Sequence, residues 1–138
     1  YTMNVFGARH PLEADLDKEI ATALMEELSS EDTIICPLTI GGHLDHVLTR
    51  AAVERLGRPL RYYADIPYLL NKPETLEGAV KGMQEELLPV SYEGMEAWLE
   101  GIAAYKSQQV MLFETEEKMR EAMRAYWEER GGIRLWRV

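Results

Sequence analysis

Pro37-Leu38-Thr39-Ile40-Gly41-Gly42-His43-Leu44-Asp45-His46 is the stretch on which the reading of the fold turns. Just before it, the apolar run Thr33 to Cys36 ends at a proline. Within it, two glycines precede a pair of histidines three positions apart, with an acid between them. After it, Val47, Leu48, Ala51, Ala52 and Leu56 recur at spacings of three and four, the period of a helix with one apolar face. The stretch is therefore predicted to run strand, loop, helix. Its polar residues fall at the carboxyl end of the strand, where open α/β sheets build their sites. Two histidines three apart at a helix start also bring both rings roughly to one face, one turn apart.

Working outward, Leu60 to Ala64 reads as the next strand. The helix His43 to Leu56, closed by Gly57 with Arg55 in its last turn, joins the two strands into a βαβ unit with parallel pairing. Thr33 to Cys36 has the pattern of a strand buried on both faces. Upstream, Leu16, Ile20, Leu24 and Leu28, joined by Ala21 and Met25, predict a helix with Glu13, Asp15 and Asp17 near its positive end. Thr2 to Phe6 is a candidate strand. Downstream, Asp65-Ile66-Pro67 turns the chain, and Leu69 to Leu76 is expected to be irregular. Gln84 to Ser91 is a weak strand in which Pro89 marks an edge or an end. Ser91 caps a helix carrying Met95, Trp98, Leu99, Ile102, Ala103 and Tyr105 on its apolar side. Thr115 opens a last helix reaching Arg130; Gly131-Gly132 stops it, and Ile133 to Val138 alternates as a short strand. No repeat, low-complexity tract or long linker divides the chain. The expected architecture is α/β: a Rossmann-like, partly parallel sheet with flanking helices, in one domain.

The 138 residues suffice for one domain with a core, and 46% hydrophobic with 28% charged residues is ordinary for a globular chain. No apolar run is long enough for a membrane span, and no basic, apolar leader is present, so a cytoplasmic protein is expected. A formal charge of -9 argues against nucleic acid and anionic membrane surfaces as partners. Cys36, the one cysteine, lies in an apolar strand and is expected to be packed, not reactive.

His43-Leu44-Asp45-His46, after a strand ending in proline and before a helix with Ala51 and Ala52, resembles the second conserved motif of the LmbE-like, PIG-L family of zinc-dependent N-deacetylases. Members of that family act mostly on N-acetylglucosamine-containing substrates. Asp65-Ile66-Pro67-Tyr68 after the next strand and Tyr105-Lys106-Ser107-Gln108 at the end of a later helix fit in order. The resemblance spans roughly residues 12 to 109. The family's first motif, His-Pro-Asp-Asp-Glu, does not occur: the only His-Pro, His10-Pro11, is followed by Leu12-Glu13. Together with a start at Tyr1, this implies that residues 1–138 are the carboxyl-terminal portion of one such deacetylase domain. The other half would then be a missing segment or a second chain, and the 138 residues alone are expected to be inactive.

The resemblance implies roles for single residues. His46 would be a zinc ligand, neutral imidazole being an ordinary zinc donor, with a His and an Asp from the absent motif completing the set. The bland alternative is a helix-start imidazole bonded to a carboxylate or to solvent. His43 would face the substrate and either stabilise the oxyanion of amide hydrolysis or protonate the leaving amine. Asp45 would orient one imidazole or the other. Asp65, Tyr68 and Arg9 are candidate substrate contacts at the pocket rim, with turn structure as their bland role. Ser107 and Gln108 read as caps at a helix end. Gly41 and Gly42 permit positive φ in the loop that holds His43. Trp98, Tyr126, Trp127 and Trp136 read as core or subunit interface, which leaves room for a homo-oligomer.

The function so implied is zinc-dependent hydrolysis of an N-acetyl group from an amino-sugar or glycoconjugate substrate, giving acetate and a free amine. The alternative is an inactive relative that kept the fold as a binding or structural protein. A nucleotide-phosphate loop is poorly supported, since its glycine spacing and lysine are lacking, and a serine-hydrolase arrangement no better, since no Gly-x-Ser-x-Gly elbow occurs.

Overall fold

The computed structural model describes residues 5–138. The chain divides into two compact units, one comprising residues up to Gln84 together with Trp136–Val138, the other Glu85–Leu135. Four strands, β1 (Ile34–Pro37), β2 (Leu60–Tyr63), β3 (Gln84–Pro89) and β4 (Gly132–Arg137), follow the order β1-β2-β4-β3 with helices between them. The architecture is α/β with a partly parallel sheet.

The first unit is built on the predicted βαβ. β1 and β2 pair in parallel with Ile34 opposite Leu60 and Pro37 opposite Tyr63. Two helices, α1 (Leu16–Glu27) and α2 (Leu44–Glu54), accompany them; α1 packs on α2 and α2 on β1. Ala21, Ile34, Cys36, Ala52, Val53 and Tyr62 are buried there. Burial pushes the Cys36 thiol up to about 11, so it stays protonated and unreactive near neutral pH. Burial of β1 on both faces holds only in part: Pro37 is covered, but Ile35 on the same face is not. Ile34 and Cys36 are covered, whereas the alternating Ile35 points to the opposite side and is 47% exposed. Met25 departs in the same way, lying off the packed stripe of α1 at 61% exposure.

Of the candidate strand Thr2 to Phe6, residues 2–4 lie outside the described residues, and Val5 and Phe6 lie in a turn. The segment expected to be irregular after β2 contains two short helices, α3 (Tyr68–Asn71) and α4 (Thr75–Ala79). Their four and five residues are too few to show a helical period, which is why the pattern looked structureless.

In the second unit β3 leads into α5 (Tyr92–Ala103), α6 (Lys106–Phe113) and α7 (Glu116–Glu128). Ser91 accepts the Gly94 N–H and Thr115 the Lys118 N–H, so both predicted caps form. Met95, Leu99, Met119 and Met123 fill the core between α5 and α7. Trp127 Nε1 donates to the Val90 carbonyl at 2.9 Å, tying α7 to the end of β3. Tyr105 is 71% exposed and takes a non-helical ψ of 56°. The chain breaks there, so Lys106, Ser107 and Gln108 open α6 and do not close α5.

Candidate functional site

The site grows from the way the chain leaves β1. Leu38 N–H still donates to Tyr63 C=O at 2.9 Å, extending the parallel ladder by one rung. Thr39 then turns into the left-handed region at φ 66°, an unusual conformation for a β-branched residue, and Gly41 and Gly42 follow at 88° and 71°. Gly42 N–H closes the turn on Thr39 C=O at 3.1 Å. The next backbone donor that would look for a strand partner, Ile40 N–H, finds the Asp65 carboxylate instead, with Oδ2 at 3.0 Å. Asp65 thus continues β2's side of the ladder with a side chain. Leu44 N–H, free at the start of α2, is taken by Val5 C=O at 2.7 Å.

The second oxygen of Asp65 lies 2.5 Å from His46 Nδ1. The Asp65 side chain is fully buried, whereas that of His46 is 30% exposed. An ionised carboxylate only accepts, so Nδ1 of His46 is the donor of the pair, and in the neutral ring the lone pair lies on Nε2. A histidine held this way by a carboxylate is the usual arrangement of a metal-binding imidazole. Asp65, expected at the pocket rim, is instead buried behind His46 because both its oxygens are taken by internal donors. Asp45, expected to orient an imidazole, is exposed in the first turn of α2, and the carboxylate on His46 belongs to Asp65.

His43 is the N-cap of α2, and its Nδ1 accepts the Asp45 N–H at 3.2 Å. The neutral ring must therefore carry its proton on Nε2. The two imidazoles hold opposite tautomers: His43 presents a donor, His46 a lone pair. Their centroids are 5.1 Å apart. Tyr68, at the start of α3, lies 6.4 Å from His43 and 6.0 Å from His46, ring to ring. Burial, and then the Asp65 charge, raise the Tyr68 phenol above its ordinary value, so it stays a neutral donor near neutral pH. Gly41 makes this approach feasible, because a Cβ there would stand 2.5 Å from Tyr68 Cγ. Phe6, 55% exposed, completes the cluster edge-on, 5.6 Å from the His43 ring and 6.0 Å from that of Tyr68.

Arg9 is held by Asp17 at 2.8 Å and by the Ala14 carbonyl at 3.1 Å. With Asp45, Val5, Leu16 and Leu48 it lines a cavity of about 260 Å³ on the flank of α2. Asp17 also accepts from Arg55 Nε, and these two guanidiniums, Arg55 foremost, lower its carboxyl to about 2. Arg9 therefore ties the first loop to α1. His43, His46 and Tyr68 are gathered into one cluster, whereas Arg9 and Asp45 line the cavity on the flank of α2, whose lining includes none of the three.

Among the described residues no group of three or more His, Cys, Asp and Glu is arranged to hold a metal ion. Among the described residues, His46 sets a buried carboxylate behind its Nδ1 and leaves Nε2 without a protein partner. The reading from sequence missed Asp65 in that role and Phe6 altogether. The signal for Asp65 was its place two residues beyond β2, since parallel pairing of Pro37 with Tyr63 brings residues 38–40 beside 64–65. Phe6 carried no signal.

No protein-family model matches the chain. It is similar to 2'-N-acetylparomamine deacetylase of Streptomyces fradiae, 36% identical over 67 residues that cover 42% of this chain and 23% of that protein. The fold is similar to a crystal structure of the zinc-inhibited form of the teicoplanin deacetylase Orf2. That match has a TM-score of 0.67 and 26% identity, and covers 95% of this chain and 55% of that one. The chain thus spans about half of the solved relative and less than a quarter of the curated one. Both relatives are deacetylases. No helix among the described residues is long and apolar enough to cross a membrane.

Proposed function

We propose that this chain carries part of the active site of a metal-dependent N-deacetylase of the LmbE-like, PIG-L type. It would hydrolyse an N-acetylated amino sugar or glycoconjugate to acetate and a free amine. The observation that carries the reading is the His46–Asp65 pair, which leaves His46 Nε2 free on the exposed side of a buried carboxylate. The names of the two similar proteins support the reaction class. They do not favour the alternative of an inactive binding protein.

In this reading His46 supplies one ligand to a divalent metal, taken to be zinc, and the remaining ligands and the general base come from outside the described residues. The bound metal would polarise the acetamide carbonyl and activate water. His43 Nε2–H donates a hydrogen bond to the developing oxyanion. Its second nitrogen is engaged as an acceptor at the helix cap, so giving up the Nε2 proton would leave an anionic ring unless the cap broke. That favours the oxyanion role over protonation of the leaving amine. Tyr68 offers a further neutral donor, and Phe6 an exposed apolar wall for the sugar or the acetyl group. Arg9 and Asp45 border the substrate from the side.

Acetate release from N-acetylated amino sugars, followed in the intact protein while zinc is titrated from below one equivalent, tests the reading. Starting low matters because the solved relative is a zinc-inhibited form. Activity that needs about one metal and is abolished by a chelator is expected. Full activity in metal-free protein, or enzyme-like rates from the 138 residues alone, would overturn the assignment.

A further inference from the structure

Arg50 lies one turn after His46 on the same face of α2, and its guanidinium is fixed on three sides. Nε donates to Glu54 at 2.7 Å, Nη1 donates to the Leu38 carbonyl at 3.0 Å, and the group sits 4.8 Å from the centroid of the Tyr62 ring. Glu54 is steadied in turn by Tyr62 OH at 3.2 Å. Leu38 is the last residue of the parallel ladder, and its carbonyl belongs to the peptide that enters the left-handed turn at Thr39. Two residues later Ile40 N–H holds one oxygen of Asp65, whose other oxygen holds His46. A helix turn that carries a candidate ligand thus also grips the loop that fixes the ligand's carboxylate.

We propose that Arg50 is a positioning residue of this site: it clamps the Leu38 carbonyl and, through Ile40 and Asp65, fixes the His46 ring. The inference deepens the reading of His46 given above. It predicts that planar, forked donation is needed. A lysine has the charge but cannot span Glu54 and the Leu38 carbonyl while stacking on Tyr62.

The test is the His46 Nδ1–H proton resonance in the intact protein, compared between wild type, Arg50→Met and Arg50→Lys. A short, carboxylate-bound proton shielded from solvent is expected in the wild type. In Arg50→Met it should move upfield or broaden through exchange, and metal affinity should fall tenfold or more. Arg50→Lys should lie between, and it carries the test if Arg50→Met does not fold. A variant that loses thermal stability but keeps both the resonance and the metal affinity would reduce Arg50 to a packing residue and overturn the inference. Failure of the functional reading would show elsewhere, as unchanged metal content in His46→Ala.

Discussion

Asp65 and His46, nineteen positions apart in sequence, meet at 2.5 Å, and the carboxylate is wholly buried while the imidazole reaches solvent. Asp65 reads the backbone with one oxygen and the ring with the other. The strand-to-helix loop and the candidate ligand are therefore set by one side chain.

Asp65→Asn follows directly. The amide has one acceptor oxygen and a donor in place of the second, so either a buried donor loses its partner or His46 moves its proton to Nε2 and gives up the lone pair there. A loss of about 1–3 kcal/mol in stability is expected for an unsatisfied buried donor. Metal affinity should fall about 10- to 100-fold. Denaturant unfolding and competition with a chromophoric chelator measure the two. An unchanged affinity would contradict the role given to Asp65.

Gly41 and Gly42 separate strain from space. Both have positive φ, but only at Gly41 would a Cβ strike another residue, the Tyr68 ring. Gly42→Ala should cost about 1 kcal/mol, the left-handed penalty alone. Gly41→Ala should cost clearly more and displace Tyr68, visible as a larger drop in the thermal midpoint and a changed tyrosine environment in near-ultraviolet circular dichroism. Equal costs would mean that the close approach does not matter.

Much of this loop was legible before any coordinates. The proline, the glycine pair and the change from a short apolar run to helical spacing announced β1, the turn and α2, because each is written locally. The partnership of Asp65 with His46 was not, since it depends on the register of β1 against β2. The same holds for Ile35, whose exposure depends on which face of the strand is covered. The break at Tyr105 is a matter of one backbone angle, and the apolar pattern of α5 gives no warning of it.

His43→Asn distinguishes cap from chemistry. Asparagine is a good N-cap, so stability should stay within about 0.5 kcal/mol. The Nε2–H donor is lost, and deacetylation should slow by about 100-fold or more. Rates near wild type would remove His43 from the reaction.

Asp17 gives an acid signature independent of the site. Its folded-state value, about 2, lies below the ordinary 3.8, so its contribution is fully present above about pH 4. It is lost as pH falls toward 2 and the carboxylate between Arg9 and Arg55 is protonated. Asp17→Asn should be less stable than wild type at neutral pH and lose less on acidification through that window. Parallel stability curves for the two would contradict the assignment.

The central claim is that His46 holds a metal, and elemental analysis of the zinc-repleted intact protein tests it most directly. The account predicts about one zinc per wild-type molecule, near-complete loss in His46→Ala and retention in His43→Asn. No bound metal in the wild type, or full occupancy in His46→Ala, would contradict it.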